Sequence, residues 1–196
     1  MLSTELLKDF AQLSDELTLE DISELFAKAS PRQLNVGETY ISIGDRSRML
    51  AFIEKGLIRA FAEKDNGEQA TLLLRWEDQF VGSHDTIIFN QPSKFAYQAI
   101  EPTTILELDY ALVEKAMEEN PKFESVRKSV LMSMLGGALQ MLEDFVLLSP
   151  EQRYIKLVDE KMDIVNRVAD KHIASMLGIT PVSLSRIRKR IASRKD

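Results

Sequence analysis

The sequence contains no cysteine and only two histidines, His84 and His172. Without cysteine there is no disulfide framework, no cysteine-ligated zinc and no thiol nucleophile. No uninterrupted apolar run reaches the length a bilayer requires, so no membrane span or membrane partner is expected. The opening residues, MLSTELLKDFAQLSDEL, are acidic and amphipathic. They lack the basic start and apolar centre of a signal peptide, and a cytoplasmic location is the simplest reading. Gly-x-Ser-x-Gly, P-loop and metal-ligand spacings are also missing. Ser83-His84-Asp85 holds the residue types of a hydrolytic triad, but three consecutive side chains cannot form that chain of hydrogen bonds unaided. The expectation is a non-enzyme without metal or resident cofactor.

What is present is a chain of 196 residues, 44% hydrophobic and 29% charged, the composition of a globular protein able to bury a core. Net charge is −6, unevenly spread. Residues 164–196 carry eight Lys or Arg against Asp170 and Asp196, so +6, and the first 163 residues carry −12. Such a reversal suggests that the C-terminal segment meets a polyanion; the alternative is a solvated basic tail.

Residues 2–29 read as one or two short helices, with Leu6, Phe10, Leu13, Leu17, Ile22, Leu25 and Phe26 mostly three to five apart. Between Gln33 and Leu108 the texture changes to short β-rich runs: TYISI (39–43), MLAFI (49–53), LIRAF (57–61), ATLLL (70–74), FAYQA (95–99) and TILEL (104–108). Gly37, Gly44, Gly56, Gly67 and Gly82 punctuate them. Many short strands without intervening helices predict an antiparallel barrel or sandwich. A short helix follows over 110–119, stopped by Asn120-Pro121. A long one is expected over roughly 121–147, in which Leu131, Leu135, Ala138, Leu142 and Phe145 form a heptad seam beside a second stripe of Val130, Met134, Gly137 and Met141. It reads as a dimerisation helix, with a central core helix as the alternative. Ser149-Pro150-Glu151-Gln152 then has the form of a capped helix start and marks a hinge.

The densest basic stretch is HIASMLGITPVSLSRIRKRI, residues 172–191. Asp170 to Leu177 makes one short helix, Gly178 suits its left-handed end, Thr180 caps the next and Pro181 opens it. Ile173, Leu177, Ile179, Leu184 and Ile187 fall where two steeply crossed helices share a core, with Ala174 small at the crossing. That is the helix-turn-helix pattern, whose second helix enters the DNA major groove. Val182, Ser185, Arg186 and Lys189 are left outward, suited to base edges and the thymine methyl. Arg188, Arg190 and Arg194, with the Thr180 and Ser183 hydroxyls, suit phosphates. The alternative is an ordinary helical hairpin with a basic face.

With these residues in view, the chain resembles the Crp/Fnr family of bacterial transcription regulators. VADKHIASMLGITPVSLSRIRKRI is similar to that family's DNA-binding helix pair, and VGETYISIGDRSRMLAFIEKGLIRAF to the early strands of its cyclic-nucleotide-binding-type barrel. ENPKF before a long helix, and LSPEQRYIKL, are similar to the starts of its dimer helix and C-terminal domain. The resemblance implies an α+β chain: an N-terminal antiparallel β-roll sensor (a double-stranded β-helix) over residues 1–120, a dimerisation helix over 121–148, and a helix-turn-helix domain over 149–196 without a C-terminal wing. It implies a homodimer on double-stranded DNA, with RNA polymerase and a small-molecule effector as further partners. Pro181, Val182 and Arg186 fall at the family's base-contacting places; Val182 departs from its usual glutamate.

The resemblance also has a gap. Cyclic-nucleotide binders carry Phe-Gly-Glu, an apolar stretch, then Arg-Ser/Thr-Ala. Here the stretch is FVGSHDTIIFNQPSKFAYQA, residues 80–99. Gly82 is kept, Ser83 replaces the glutamate, and Ser93-Lys94-Phe95 replaces the arginine triplet. Lysine lacks the bidentate grip of arginine. Usual cAMP or cGMP binding is therefore not expected, and the lack of cysteine excludes cysteine-ligated iron–sulfur sensing. The sensor either takes a different effector, in a pocket lined by Phe80, His84, Phe95 and Tyr97, or none. A ligand-binding or dimerisation module without selective DNA binding remains the alternative function.

Overall fold

The computed structural model describes residues 18–194. Residues 2–17 of the stretch read as one or two short helices lie outside them; its described part holds α1, Leu19–Phe26, started by a complete capping box between Thr18 and Asp21. Eight strands follow: β1 (Ser30–Leu34), β2 (Thr39–Ile41), β3 (Met49–Lys55), β4 (Ile58–Glu63), β5 (Gln69–Arg75), β6 (Phe80–Gly82), β7 (Ala96–Ala99) and β8 (Thr103–Asp109). They form two four-stranded sheets, ordered β1-β8-β3-β6 and β2-β7-β4-β5. The α+β architecture, with a β-roll and a long helix after it, is the one expected.

Six strands fall on the β-rich runs read from the sequence. Two were not foreseen. β1 is SPRQL, with no alternating pattern; it pairs antiparallel with β8, Pro31 opposite Leu106. Proline is tolerated because β1 is the sheet edge. β6 is only three residues long, opposite Leu50–Phe52 of β3. Central β3 buries Ala51, Phe52 and Ile53 in succession, and β8 buries Ile105 and Leu106 against it. Burial on successive residues means cover on both faces, so alternation is lost. Gly56, at φ +104°, closes the turn after β3; a β-carbon there would lie 2.6 Å from the Thr103 Cα. Only glycine fits.

The short helix α2 (His84–Ile87) follows β6, and α3 (Tyr110–Glu119) follows β8, capped by Asp109 and ended at Asn120 before Pro121. The long helix α4 spans Lys122–Leu147, 26 residues and so about 39 Å. Then come α5 (Pro150–Glu160), α6 (Ile164–Arg167), α7 (Asp170–Met176) and α8 (Pro181–Ala192). By length and composition alone, α4 is apolar enough to cross a membrane, although polar residues interrupt its apolar runs.

The chain forms two compact units. One comprises Met1–Ile58 and Arg75–Ala138; the other comprises Arg59–Leu74 and Leu139–Asp196. The sequence placed its boundaries at 120/121 and 148/149 instead. The division by contacts falls inside α4, beside Gly136-Gly137, and groups the β4–β5 hairpin with the C-terminal helices.

Candidate nucleic-acid interface and effector cassette

The C-terminal helices are built from local signals. Ser149 caps α5: its hydroxyl accepts from the Gln152 N–H at 3.3 Å, and the Gln152 side chain accepts from the Ser149 N–H at 2.9 Å. Helix α7 ends on a left-handed Gly178, φ +70°. The Gly178 N–H donates to the Ser175 carbonyl at 3.0 Å and the Ile179 N–H to the Ala174 carbonyl at 2.9 Å, the two bonds of a Schellman turn. Thr180 then accepts from the Ser183 N–H at 3.1 Å, and Pro181 opens α8. Ile173, Ala174 and Leu184 are wholly buried, with Leu177 and Ile187 nearly so. Of the small core inferred from the spacing these residues are buried, Ala174 included, while Ile179 is only half-buried and lines a surface groove.

Burying Leu184 and Ile187 turns Pro181, Val182, Ser185, Arg186, Lys189 and Arg190 to solvent. Val182 is 61% exposed, high for an aliphatic side chain. Ser183 is half-buried, its hydroxyl 3.0 Å from that of Thr180. A groove of about 410 Å³, lined by Pro150, Ile179, Ser183, Arg186, Ile187 and Arg190, runs alongside. Arg188 is placed differently from its neighbours. It donates to Asp170 at 2.7 Å and to the Tyr154 hydroxyl at 3.1 Å, with its guanidinium over the Tyr154 ring. It braces α5, α7 and α8 together.

Two residues not singled out from the sequence shape this unit. Arg153 of α5 donates to the carbonyls of Leu148 (2.7 Å) and Leu177 (2.9 Å) and stacks on Phe145. It satisfies carbonyls at two chain turns that helix geometry leaves open. Arg59 of β4, 4% exposed, donates to Nδ1 of His172 at 2.8 Å and to Gln69 at 2.6 Å. Since arginine can only donate, His172 accepts on Nδ1 and carries its proton on Nε2. Burial first, then the charges of Arg59 and Lys171, lower the His172 pKa to about 4. The Thr71 N–H donates to the Ser175 hydroxyl at 2.9 Å, a second tie from the hairpin to α7.

Along α4, Leu131 is half-buried, while Leu135, Ala138, Leu142 and Phe145 are exposed, Leu142 by 61%. Met134, Leu139, Val146 and Leu147 are exposed too. A β-carbon on Gly136 or Gly137 would meet nothing within 4 Å.

The cassette, residues 80–97, is closed on itself. Ser83 is fully buried and donates to Ser93 (2.9 Å), which donates to the Phe95 carbonyl (2.7 Å). Asp85, 1% exposed, accepts from the Lys94 N–H at 3.0 Å and lies 3.7 Å from both the Lys94 ammonium and His84 Nε2. The His84 ring stands against Phe89 and Phe95, whereas Phe80 packs edge-on against Phe52 and joins the Leu106 cluster. Tyr97 is 3% exposed, and burial pushes its hydroxyl up to about 12. Gly82 is tight: a β-carbon would sit 2.9 Å from Ile87 Cδ1. Asp85 was read from the sequence only within Ser83-His84-Asp85, and the half-buried cation Arg75, whose pKa burial lowers, was not singled out. No group of three or more His, Cys, Asp or Glu suited to a metal occurs among the described residues.

No family model and no curated protein matches the chain. Solved structures do. The c-di-GMP responsive global regulator CLP of Xanthomonas campestris matches with a TM-score of 0.69 at 15% identity, over 91% of this chain and 93% of that one. FixK2 from Bradyrhizobium japonicum matches with 0.69 at 19% identity, over 85% and 86%. A CooA mutant from Carboxydothermus hydrogenoformans matches with 0.69 at 18% identity, over 99% and 87%. What is shared at such identities is the architecture, and the chain has the fold of the Crp/Fnr-type transcription regulators.

Proposed function

We propose that the chain is a sequence-specific DNA-binding transcription regulator that acts as a cytoplasmic homodimer. The observation that carries the reading is the outward face of α8. It presents Val182, Ser185 and Arg186 in its N-terminal half, and Lys189 one turn on, to solvent while Leu184 and Ile187 anchor the helix from behind. A rigidly seated helix with its polar face free has the requirements of a major-groove reader. Arg186 suits guanine O6 and N7, Ser185 several base edges, and Val182 a thymine methyl. Lys189, Arg190 and the exposed Thr180 suit phosphates. Two copies joined along the apolar seam of α4 would read half-sites about one helical turn, ~34 Å, apart.

Cyclic nucleotide is not the effector in this reading. A cyclic phosphate placed among Ser83, Ser93 and Lys94 would meet the buried Asp85 carboxylate, which already neutralises Lys94. A buried carboxylate beside a negative ligand is unfavourable at low dielectric. The sensor therefore takes a different effector or serves as scaffold.

The test is fluorescence anisotropy on duplexes selected from a random library, at two salt concentrations, with and without cAMP. Selective, salt-steepened binding that ignores cAMP supports the proposal. Dependence on cAMP refutes the cassette reading, and absence of selective binding refutes the DNA reading.

A further inference from the structure

We propose that Glu151 holds down the sequence-independent part of DNA binding by withholding Arg190 and Arg194 from the phosphate backbone. The inference rests on the DNA-binding reading of α8 and concerns the strength of that contact.

Glu151 sits in the first turn of α5, behind the Ser149 cap, where the helix dipole favours a carboxylate. Its side chain is only 16% exposed, yet it faces Arg190 of α8 and Arg194 just beyond that helix. Oε2 accepts from Arg190 Nε at 2.7 Å, and Oε1 accepts from Arg194 at 2.6 Å. The two guanidinium groups lie one helical turn apart and are 55% and 65% exposed. Both stand at the surface, but each already has an anion. Arg188 is committed to Asp170 and Tyr154. Arg186 and Lys189 carry no ion pair among the described residues.

The basic charge of α8 is thus divided. Arg186, beside the base-reading positions, and Lys189 keep their charges unpaired among the described residues, whereas Arg190 and Arg194 are neutralised by one fixed carboxylate. A phosphate must displace Glu151 to gain Arg190 or Arg194. Sequence-independent affinity comes from phosphate contacts and scales with their number, so Glu151 lowers it. It acts on DNA only through the arginines and is a positioning residue.

The full chain is titrated with a random-sequence duplex across a salt series, beside Glu151→Gln, Glu160→Gln and Arg190→Gln/Arg194→Gln. Glu160→Gln removes the same charge from the other end of α5. We expect Glu151→Gln to bind random DNA about five- to tenfold tighter at low salt, with a log–log salt slope steeper by about 1–2. The double arginine variant, in the native background, should change random-sequence affinity less than about twofold, because those contacts are withheld already. In the triple variant the gain should vanish. Three results overturn the proposal: an equal gain from Glu160→Gln, weaker binding by Glu151→Gln, or a large loss from the arginine pair alone. The arginine variant decides the matter if Glu151→Gln melts. A wild-type chain that binds neither selected nor random DNA refutes the DNA reading itself, and this inference with it.

Discussion

Helices α4 and α8 both leave a face to solvent, and they differ in what they leave there. Helix α8 buries Leu184 and Ile187 and exposes serine, arginine and lysine. Such a face suits water. Helix α4 does the reverse, with Met134, Leu135, Leu139, Leu142, Val146 and Leu147 each at least half exposed. Its most apolar stretch has no residue buried within the single chain. A contiguous apolar face of that size marks an interaction surface. One helix has its apolar side buried and its polar side in water; the other leaves apolar side chains in water.

The largest expected effect tests that incompleteness. Leu135→Glu/Leu142→Glu should convert a dimer to monomers in sedimentation equilibrium. It should lower affinity for a two-half-site duplex by about 10²–10⁴-fold while leaving half-site affinity unchanged. A wild-type chain that is monomeric, or that co-sediments with lipid vesicles through α4, breaks the comparison. Next, Leu184→Ala should cost about 2–5 kcal/mol in urea unfolding of the C-terminal unit, as expected for a wholly buried leucine. A cost below about 1 kcal/mol would mean that α8 is not seated by its apolar side.

Smaller effects sharpen the outward face. Arg186→Ala should lose about 1–3 kcal/mol on selected DNA and relax preference at one base pair. Lys189→Ala should weaken all sequences alike and reduce the salt slope by about 0.9. If the two behave identically, base reading does not run through Arg186. The smallest concerns His172. Its folded pKa of about 4 lies below the ordinary 6.5. Between those values the unfolded chain binds a proton that the folded chain refuses. Stability should therefore fall as pH drops from 6.5 to 4 and level off below, by about 1–2 kcal/mol after allowing for partial exposure. Stability measured against pH should lose this step in His172→Gln.

Much of the fold was legible because its signals are short-range. The caps at Ser149 and Thr180, the break at Gly178 and the stop at Asn120-Pro121 each involve residues within four or five positions. Strand β1 was illegible because SPRQL has neither alternation nor β-branched residues; it is a strand only because β8 offers it an edge. Within the candidate interface, the outward direction of Val182, Ser185, Arg186 and Lys189 followed from helical period alone. The inward turn of Arg188 did not, since Asp170 is 18 residues away and Tyr154 34. Glu151 and Arg194 are 43 apart, and Arg59 and His172 are 113 apart.

The sequence by itself therefore determined the order of elements, the helix pair with its basic face, and the apolar seam of α4. Periodicity, capping and composition act over one or two turns of chain. Only the tertiary structure decided which cations are spent and which are free. α8 and the tail after it carry five basic side chains within nine residues, 186–194, whose ion-pair partners a linear reading does not reveal. A carboxylate can neutralise one or another of them only through distance, and the packing of α5 and α7 against α8 sets those distances.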